Sequence, residues 1–268
     1  MEVTVVIPWC DRGELGHALP ANVETLRTVG AEALIVNGGG DIHHLRELTK
    51  DYIGPRVRLV HMAGAPCFNK AECLNMGAFL SGADWIFTLD CDIVLDADFL
   101  HTALKIVKDG NRFVTVKEVI ESDPGVIAHS WSLHGALLER VTTTKVVHQN
   151  GRSAIIQHSI DNQGTRNGTG LVLVKREHFV AVEGLNSGLK GWGYEDVDFQ
   201  VRLQLGLGLK RIPMGKARHL SHPPISDAEA TQARNVAAAW KNYSRGKLHG
   251  PFTSDVGHWK DRSLTYSG

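Results

Sequence analysis

Trp85-Ile86-Phe87-Thr88-Leu89-Asp90-Cys91-Asp92 decides the fold. The first five residues are a short, mostly apolar run, which predicts a buried strand of a parallel sheet. The last three place carboxylates at i and i+2. Side chains alternate along an extended segment, so Asp90 and Asp92 are expected on one side. Similar runs precede this one. Val3–Ile7 ends at Pro8, Ala33–Val36 exits through Asn37-Gly38-Gly39-Gly40-Asp41, and Val57–His61 follows. Between them, Leu15–Val29, Asp41–Asp51 and Asn69–Ser81 read as helices, the last through Ala71, Leu74, Ala78 and Leu80. This alternation predicts an α/β fold: a mostly parallel central sheet flanked by helices, with right-handed crossovers. Ligands of such sheets bind beyond the carboxyl ends of the strands. Pro8–Arg12, Asn37–Asp41 and Asp90–Asp92 then share one edge.

Further along, Asp98–Lys108 predicts a helix, Phe113–Val119 a strand, and Thr169–Lys175 a strand followed by a helix from Arg176. Glu195–Leu205 reads as a helix and Leu209–Pro213 as a strand. Ser226-Asp227-Ala228-Glu229 reads as a capping box opening a helix to Tyr243. The polar stretch Thr142–Gly168, with Gln149-Asn150-Gly151 and Asn162-Gln163-Gly164, predicts long loops that order over a bound substrate. Beyond Tyr243 little pattern is visible.

Composition excludes some partners. Lys and Arg number 29, as do Asp and Glu, in 268 residues. This balance gives no electrostatic argument for nucleic acid or an anionic membrane. Apolar runs such as Leu171–Val174 fall far short of a membrane span. Met1-Glu2-Val3 enters a strand without a basic leader, and Cys10, Cys67, Cys73 and Cys91 lack zinc-ligand spacing. The expectation is a cytoplasmic protein with reduced thiols.

The second informative stretch is Gly191-Trp192-Gly193-Tyr194-Glu195-Asp196-Val197-Asp198-Phe199. Its glycines permit close backbone approach. Glu195 and Asp196 at a helix start are favoured by the macrodipole, and a carboxylate beside a hydroxyl can take its proton. The Trp192 ring can pack on the apolar face of a sugar. Upstream, the hard oxygens of Asp90 and Asp92 suit Mg²⁺ or Mn²⁺, with a diphosphate completing the coordination. Either His219 or His222 can be a further metal ligand through a neutral imidazole, with His222 favoured. Arg12, Lys70 and Arg152 are candidates for phosphate contacts. Taken singly, each has a plainer reading: solvated turn aspartates, loop histidines, ordinary helix-start acids, a core tryptophan, surface cations.

Together the stretches resemble the GT-A glycosyltransferases. Cys67–Gly77, Leu89–Asp92, Gly168–Val174, Gly184–Phe199 and His219–His222 follow, in order, the pattern of glycosyltransferase family 2, the bacterial chondroitin-type polymerases and the catalytic domain of β-1,4-galactosyltransferases. The resemblance covers residues 1–223, as a nucleotide-sugar half over 1–119 and an acceptor and catalytic half over 120–223. Residues 224–268 are left as a C-terminal helix and tail.

The resemblance implies a nucleotide-sugar donor, UDP- or GDP-linked, with Mn²⁺ or Mg²⁺ on its diphosphate. It implies transfer of a hexose to a hydroxyl of a saccharide or glycoconjugate acceptor. Asp92 matches the metal-binding aspartate, Asp90 its nucleotide-side neighbour in the same metal set, and His222 the metal histidine. His219 falls where the galactosyltransferases carry a methionine. Asn69, Lys70 and Asn75 match a donor-binding helix, and Pro8 and Arg12 the first nucleotide-contacting loop. Asn37, Gly170, Trp192 and Gly193 complete the expected substrate-binding set. Asp196 matches the base of inverting members, with Glu195 orienting the acceptor. Two departures stand out: the second strand ends in Asn37 and glycines where aspartates are usual, and residues 120–168 have no counterpart. A retaining mechanism, a nucleotidyltransferase and a silent carbohydrate-binding protein are the rivals. The intact acidic residues argue against the last.

Overall fold

The β-branched N-terminal run forms β1, Val3–Trp9, with every residue buried. In this computed structural model, which describes residues 2–123, 125, 139–161, 164–223 and 228–266, the alternation continues as read. Helix α1 spans Leu15–Thr28, β2 Glu32–Asn37, α2 Ile42–Thr49, β3 Val57–Met62, α3 Lys70–Leu80 and β4 Trp85–Thr88. Strands β3, β2, β1 and β4 lie side by side and parallel. Helix α3 packs so closely on β1 that a methyl at Gly77 would lie 2.1 Å from Val6 Cγ1, so only glycine fits there.

Strand β5, Ile93–Leu95, helix α4, Phe99–Val107, and strand β6, Arg112–Glu121, come next. Strand β7 is Glu139–Val147, β8 Ser153–Asp161 and β9 Arg166–Lys175. Helices α5, Arg176–Ala181, and α6, Glu195–Leu207, precede β10, Lys210–His219. Helices α7, Ala228–Ser244, and α8, Phe252–Trp259, lead to β11, Ser263–Tyr266. The sheet order is β11-β3-β2-β1-β4-β9-β6-β10-β5. Strand β9 runs antiparallel to both neighbours, whereas β6 and β10 are parallel. Apolar clusters form separately around Val5, Ile7, Phe87 and Leu100, around Val6, Leu74, Phe179 and Phe199, and around Ala154, Val197 and Tyr243. No helix among the described residues is long and apolar enough to cross a membrane.

The expected long loops over Thr142–Gly168 are corrected. Strands β7 and β8 form a nine-pair antiparallel hairpin here, from Glu139↔Asp161 to Val147↔Ser153. Its turn is closed by His148 N–H donating to Arg152 O at 2.9 Å, with Gly151 at φ +80°. The β-branched run Val141-Thr142-Thr143-Thr144 and Val146-Val147 has strand propensity that its polarity masks. Polarity reflects one-sided burial: β7 is largely exposed, while Ala154 and Ile156 of β8 pack against α6 and α7. Asn162 and Gln163 lie outside the described residues, as do Ser226 and Asp227 of the expected capping box.

Strand β10 runs past Pro213 to His219. Proline reads as a stop, but Pro213 has only β6 beside it, because β5 pairs no earlier than Ala217. A proline on an open side costs no ladder bond. The C-terminal region carries α8 and β11, and β11 extends the sheet antiparallel to β3.

Candidate active site

Two charged clusters meet at the sheet edge formed by the carboxyl ends of β4, β6 and β10 and the amino-terminal half of β9. The first joins Asp92, His219 and His222, each offering one atom within 4.8 Å of the others. His222 Nε2 lies 3.1 Å and His219 Nε2 3.5 Å from Asp92 Oδ2. The sheet sets this geometry. Strand β10 pairs with β5 at His219↔Ile93, and Leu220 N–H donates to Asp92 O at 2.8 Å. Burial opposes the Asp92 charge, but hydrogen bonds from both histidines hold its carboxyl far below the usual range. Burial likewise opposes the His219 imidazolium, while bonds to Asp92 and Glu121 push it up to about 9. The bond to Asp92 chiefly raises His222. One carboxylate and two imidazoles form a donor set that fits a divalent cation.

Asp90 is not in that cluster. The alternation argument assumes extended backbone, but the chain turns here, with Ile93 N–H donating to Asp90 O at 3.2 Å. Asp90 instead forms the second cluster. Lys70 Nζ lies 2.6 Å from Asp90 Oδ1 and 3.7 Å from Glu195 Oε1. Burial works against the Lys70 ammonium, but Asp90, Glu195 and Asp196 override it and hold its pKa above the ordinary value. Burial, then Asp196, pushes the Glu195 carboxyl up to about 7 against the pull of Lys70. Glu195 Oε2 is buried without a hydrogen-bond partner among the described residues. Gly170 sits at the centre. A methyl there would lie 3.0 Å from Lys70 Nζ, 3.3 Å from Asp90 Oδ2 and 3.5 Å from Asp196 Oδ2.

Asp196 is held from β9. Thr169 Oγ1–H donates to its Oδ2 at 2.5 Å, and Gln200 Nε2–H donates to Thr169 O at 2.7 Å. Neither Thr169 nor Gln200 was expected: both are uncharged, and their roles come from the packing of β9 against α6. The helix carrying both acids is fixed from below by a buried pair, Asp198 Oδ2 with Arg202 Nε at 2.8 Å, and by Tyr243 O–H on Asp198 Oδ1 at 2.9 Å.

The glycine loop is strained and clamped. Tyr194, the residue before α6, has φ +76°, a region costing a non-glycine residue on the order of 1 kcal/mol or more. Helix α7 holds the loop: Asn235 Nδ2–H donates to Gly193 O at 2.8 Å, and Thr231 Oγ1–H to Trp192 O at 3.1 Å. The Trp192 side chain stays free, 47% exposed.

Other expected positions serve the framework. Asn37 is fully buried and closes its own turn, accepting from Gly40 N–H and donating to Gly40 O. Pro8 is buried beside Val36 in the sheet. Asn69 caps α3 and donates to Ser187 O at 3.0 Å. Asn75 is fully buried, bridging Leu185 and Asp255. Arg152 caps the end of α6 through Gly206 O. The Arg12 charge is felt at His222 and at the Cys91 thiol.

Comparison with known proteins defines the class. The profile described as Glycosyl transferase family 2 matches residues 4–165, and one described as N-terminal domain of galactosyltransferase matches residues 151–223. The chain belongs to glycosyl transferase family 2, and its fold is the GT-A α/β fold that this family adopts. Among solved structures, S. aureus TarS 1–349 is similar at 9% identity and a TM-score of 0.50, over 83% of this chain and 59% of that one. The catalytic domain of Drosophila beta1,4galactosyltransferase 7, in complex with xylobiose, is matched at 18% identity and a TM-score of 0.41, over 79% of this chain and 64% of that one. The chain thus spans less than two thirds of either. No curated protein is a significant match to the sequence.

Proposed function

We propose that this chain is a metal-dependent glycosyltransferase that moves a hexose from a UDP- or GDP-sugar to a hydroxyl of a saccharide or glycoconjugate acceptor, with inversion. The observation that carries the reading is the crowding of Lys70, Asp90 and Asp196 around Gly170, next to the Asp92–His219–His222 cluster. A cation cradle and a proton acceptor then lie side by side, which is what sugar transfer from a diphosphate requires.

Asp92, His219 and His222 would hold Mn²⁺ or Mg²⁺, which when bound supplies Lewis acidity to the leaving diphosphate. Lys70, steadied by Asp90, presents an ammonium to the same phosphates. Gly170 leaves room between the charged groups, where even a methyl would press on Lys70 Nζ and Asp90 Oδ2. Asp196 takes the proton of the acceptor hydroxyl as the anomeric carbon becomes oxocarbenium-like. Thr169 fixes the direction of that carboxylate. The exposed Trp192 ring offers a wall for the acceptor sugar, and Glu195 orients its hydroxyls.

The test is a transfer assay across UDP- and GDP-sugars, with and without EDTA, and NMR of the product anomer. Metal-dependent transfer with inverted configuration is expected. Full activity in EDTA overturns the metal role, and a retained anomer overturns Asp196 as the base.

A further inference from the structure

Glu121 ends β6 and faces His219 across the parallel pairing with β10, where the two are register partners. Its side chain has 0% exposure. Both oxygens are engaged. Oε2 lies 2.6 Å from His219 Nδ1 and accepts from Ser221 Oγ–H at 2.9 Å, and Oε1 accepts from Arg166 Nε–H at 3.2 Å. A buried carboxylate without such partners costs several kcal/mol in desolvation.

Two donors already grip the Glu121 carboxylate, which takes its third bond from His219 Nδ1–H. That leaves Nε2 as the atom turned to Asp92. Among the described residues His222 has no such support: its Nδ1 lies 2.9 Å from the carbonyl of its own neighbour, Pro223. One imidazole is therefore aimed by a buried charge and the other by local backbone.

We propose that Glu121 is a positioning residue of the cation centre: gripped by Ser221 and Arg166, it holds His219 through Nδ1–H so that Nε2 serves as the third protein ligand beside Asp92 and His222. The inference rests on the metal-dependent reading above. A carboxylate behind a ligating histidine fixes its tautomer and ring orientation and raises its basicity, and losing it costs about ten- to a hundredfold in metal affinity.

The test is binding of Mn²⁺ alone, followed by the EPR signal of the free ion, with the melting temperature of each metal-free variant measured alongside. Wild type is expected to bind Mn²⁺ and Asp92→Ala to lose it. Glu121→Gln is near-isosteric and is expected to weaken binding about tenfold or more. The discriminating step is the double variant. If Glu121 acts through His219, Glu121→Gln combined with His219→Ala binds no more weakly than His219→Ala alone. Ser221→Ala, which leaves every charge in place, gives a smaller loss in the same direction and stands in if Glu121→Gln does not fold. Wild-type affinity in the variant that folds, or a full additive loss in the double variant, overturns the proposal and leaves the metal reading standing. Wild type that takes up no Mn²⁺ overturns both.

Discussion

Asp92 and Glu195 are both acidic side chains at the carboxyl edge of the sheet, both largely withdrawn from water, and their affinities for a proton are shifted in opposite directions. Two imidazoles surround Asp92 and hold it ionised. Burial and the acidic neighbour Asp196 outweigh the pull of Lys70, 3.7 Å from Glu195 and shared with Asp90, so the Glu195 carboxyl rises to about 7. Burial alone therefore does not set the charge of a carboxyl group. The partner count does, because desolvation is offset only by hydrogen bonds and opposite charges that the fold brings within reach. In the proposed function, one cluster offers electron pairs to an incoming cation, and the other, which already contains the Lys70 ammonium, offers a proton acceptor beside it.

The largest expected effect that could break this contrast is at Asp92. Asp92→Ala should abolish transfer and Mn²⁺-dependent nucleotide binding, read by calorimetry, because the cluster loses its hard anionic donor. Retained binding would put the cation elsewhere and dissolve the distinction.

At Asp196 the two clusters should separate cleanly. Asp196→Asn keeps the shape and removes the proton acceptor, so turnover should fall by at least roughly 10²-fold. Donor affinity should be unchanged, since Asp92, His219 and His222 are untouched. Parallel losses in turnover and donor affinity would show that the clusters act as one.

Thr169→Val tests how the base is held. It removes the 2.5 Å bond to Asp196 Oδ2. A hydrogen bond to a charged group contributes about 1.5 kcal/mol or more, so a loss of about tenfold in kcat is expected. An unchanged kcat would mean Asp196 needs no orientation from β9.

The smallest effect is a stability signature at Glu195. Its folded pKa of about 7 lies above the ordinary 4.5. The folded state therefore binds more protons than the unfolded state between those values, and stability falls as pH rises through that window. Glu195→Gln should flatten the dependence, raising the metal-free melting temperature at pH 8 and leaving it unchanged at pH 4. Equal shifts at both pH values would show that the Glu195 charge is not what is being relieved.

The clusters also differ in how far they could be read in advance. Asp90, Asp92, Glu195 and Asp196 stand out because charge follows directly on an apolar strand or a glycine turn. Glu121 and Thr169 do not. Each gains its role from a cross-strand or strand–helix neighbour, Glu121 from His219 in β10 and Thr169 from Asp196 in α6. The hairpin β7–β8 was hidden for a related reason: its polar composition reflects one exposed face, and only packing on α6 and α7 shows which face is buried.

By itself, the sequence determined the alternating strands and helices of the first half, the carboxyl edge where a ligand must sit, and the two acidic motifs. These depend on local periodicity and turn chemistry, which act over a few residues. Tertiary structure alone decided that Asp90 joins Lys70 rather than Asp92, that Asn37, Asn69 and Asn75 support the framework, and that Glu121 stands behind His219. Those outcomes turn on strand register and on which buried polar atoms find partners. Both are fixed only when segments far apart in the chain are packed together.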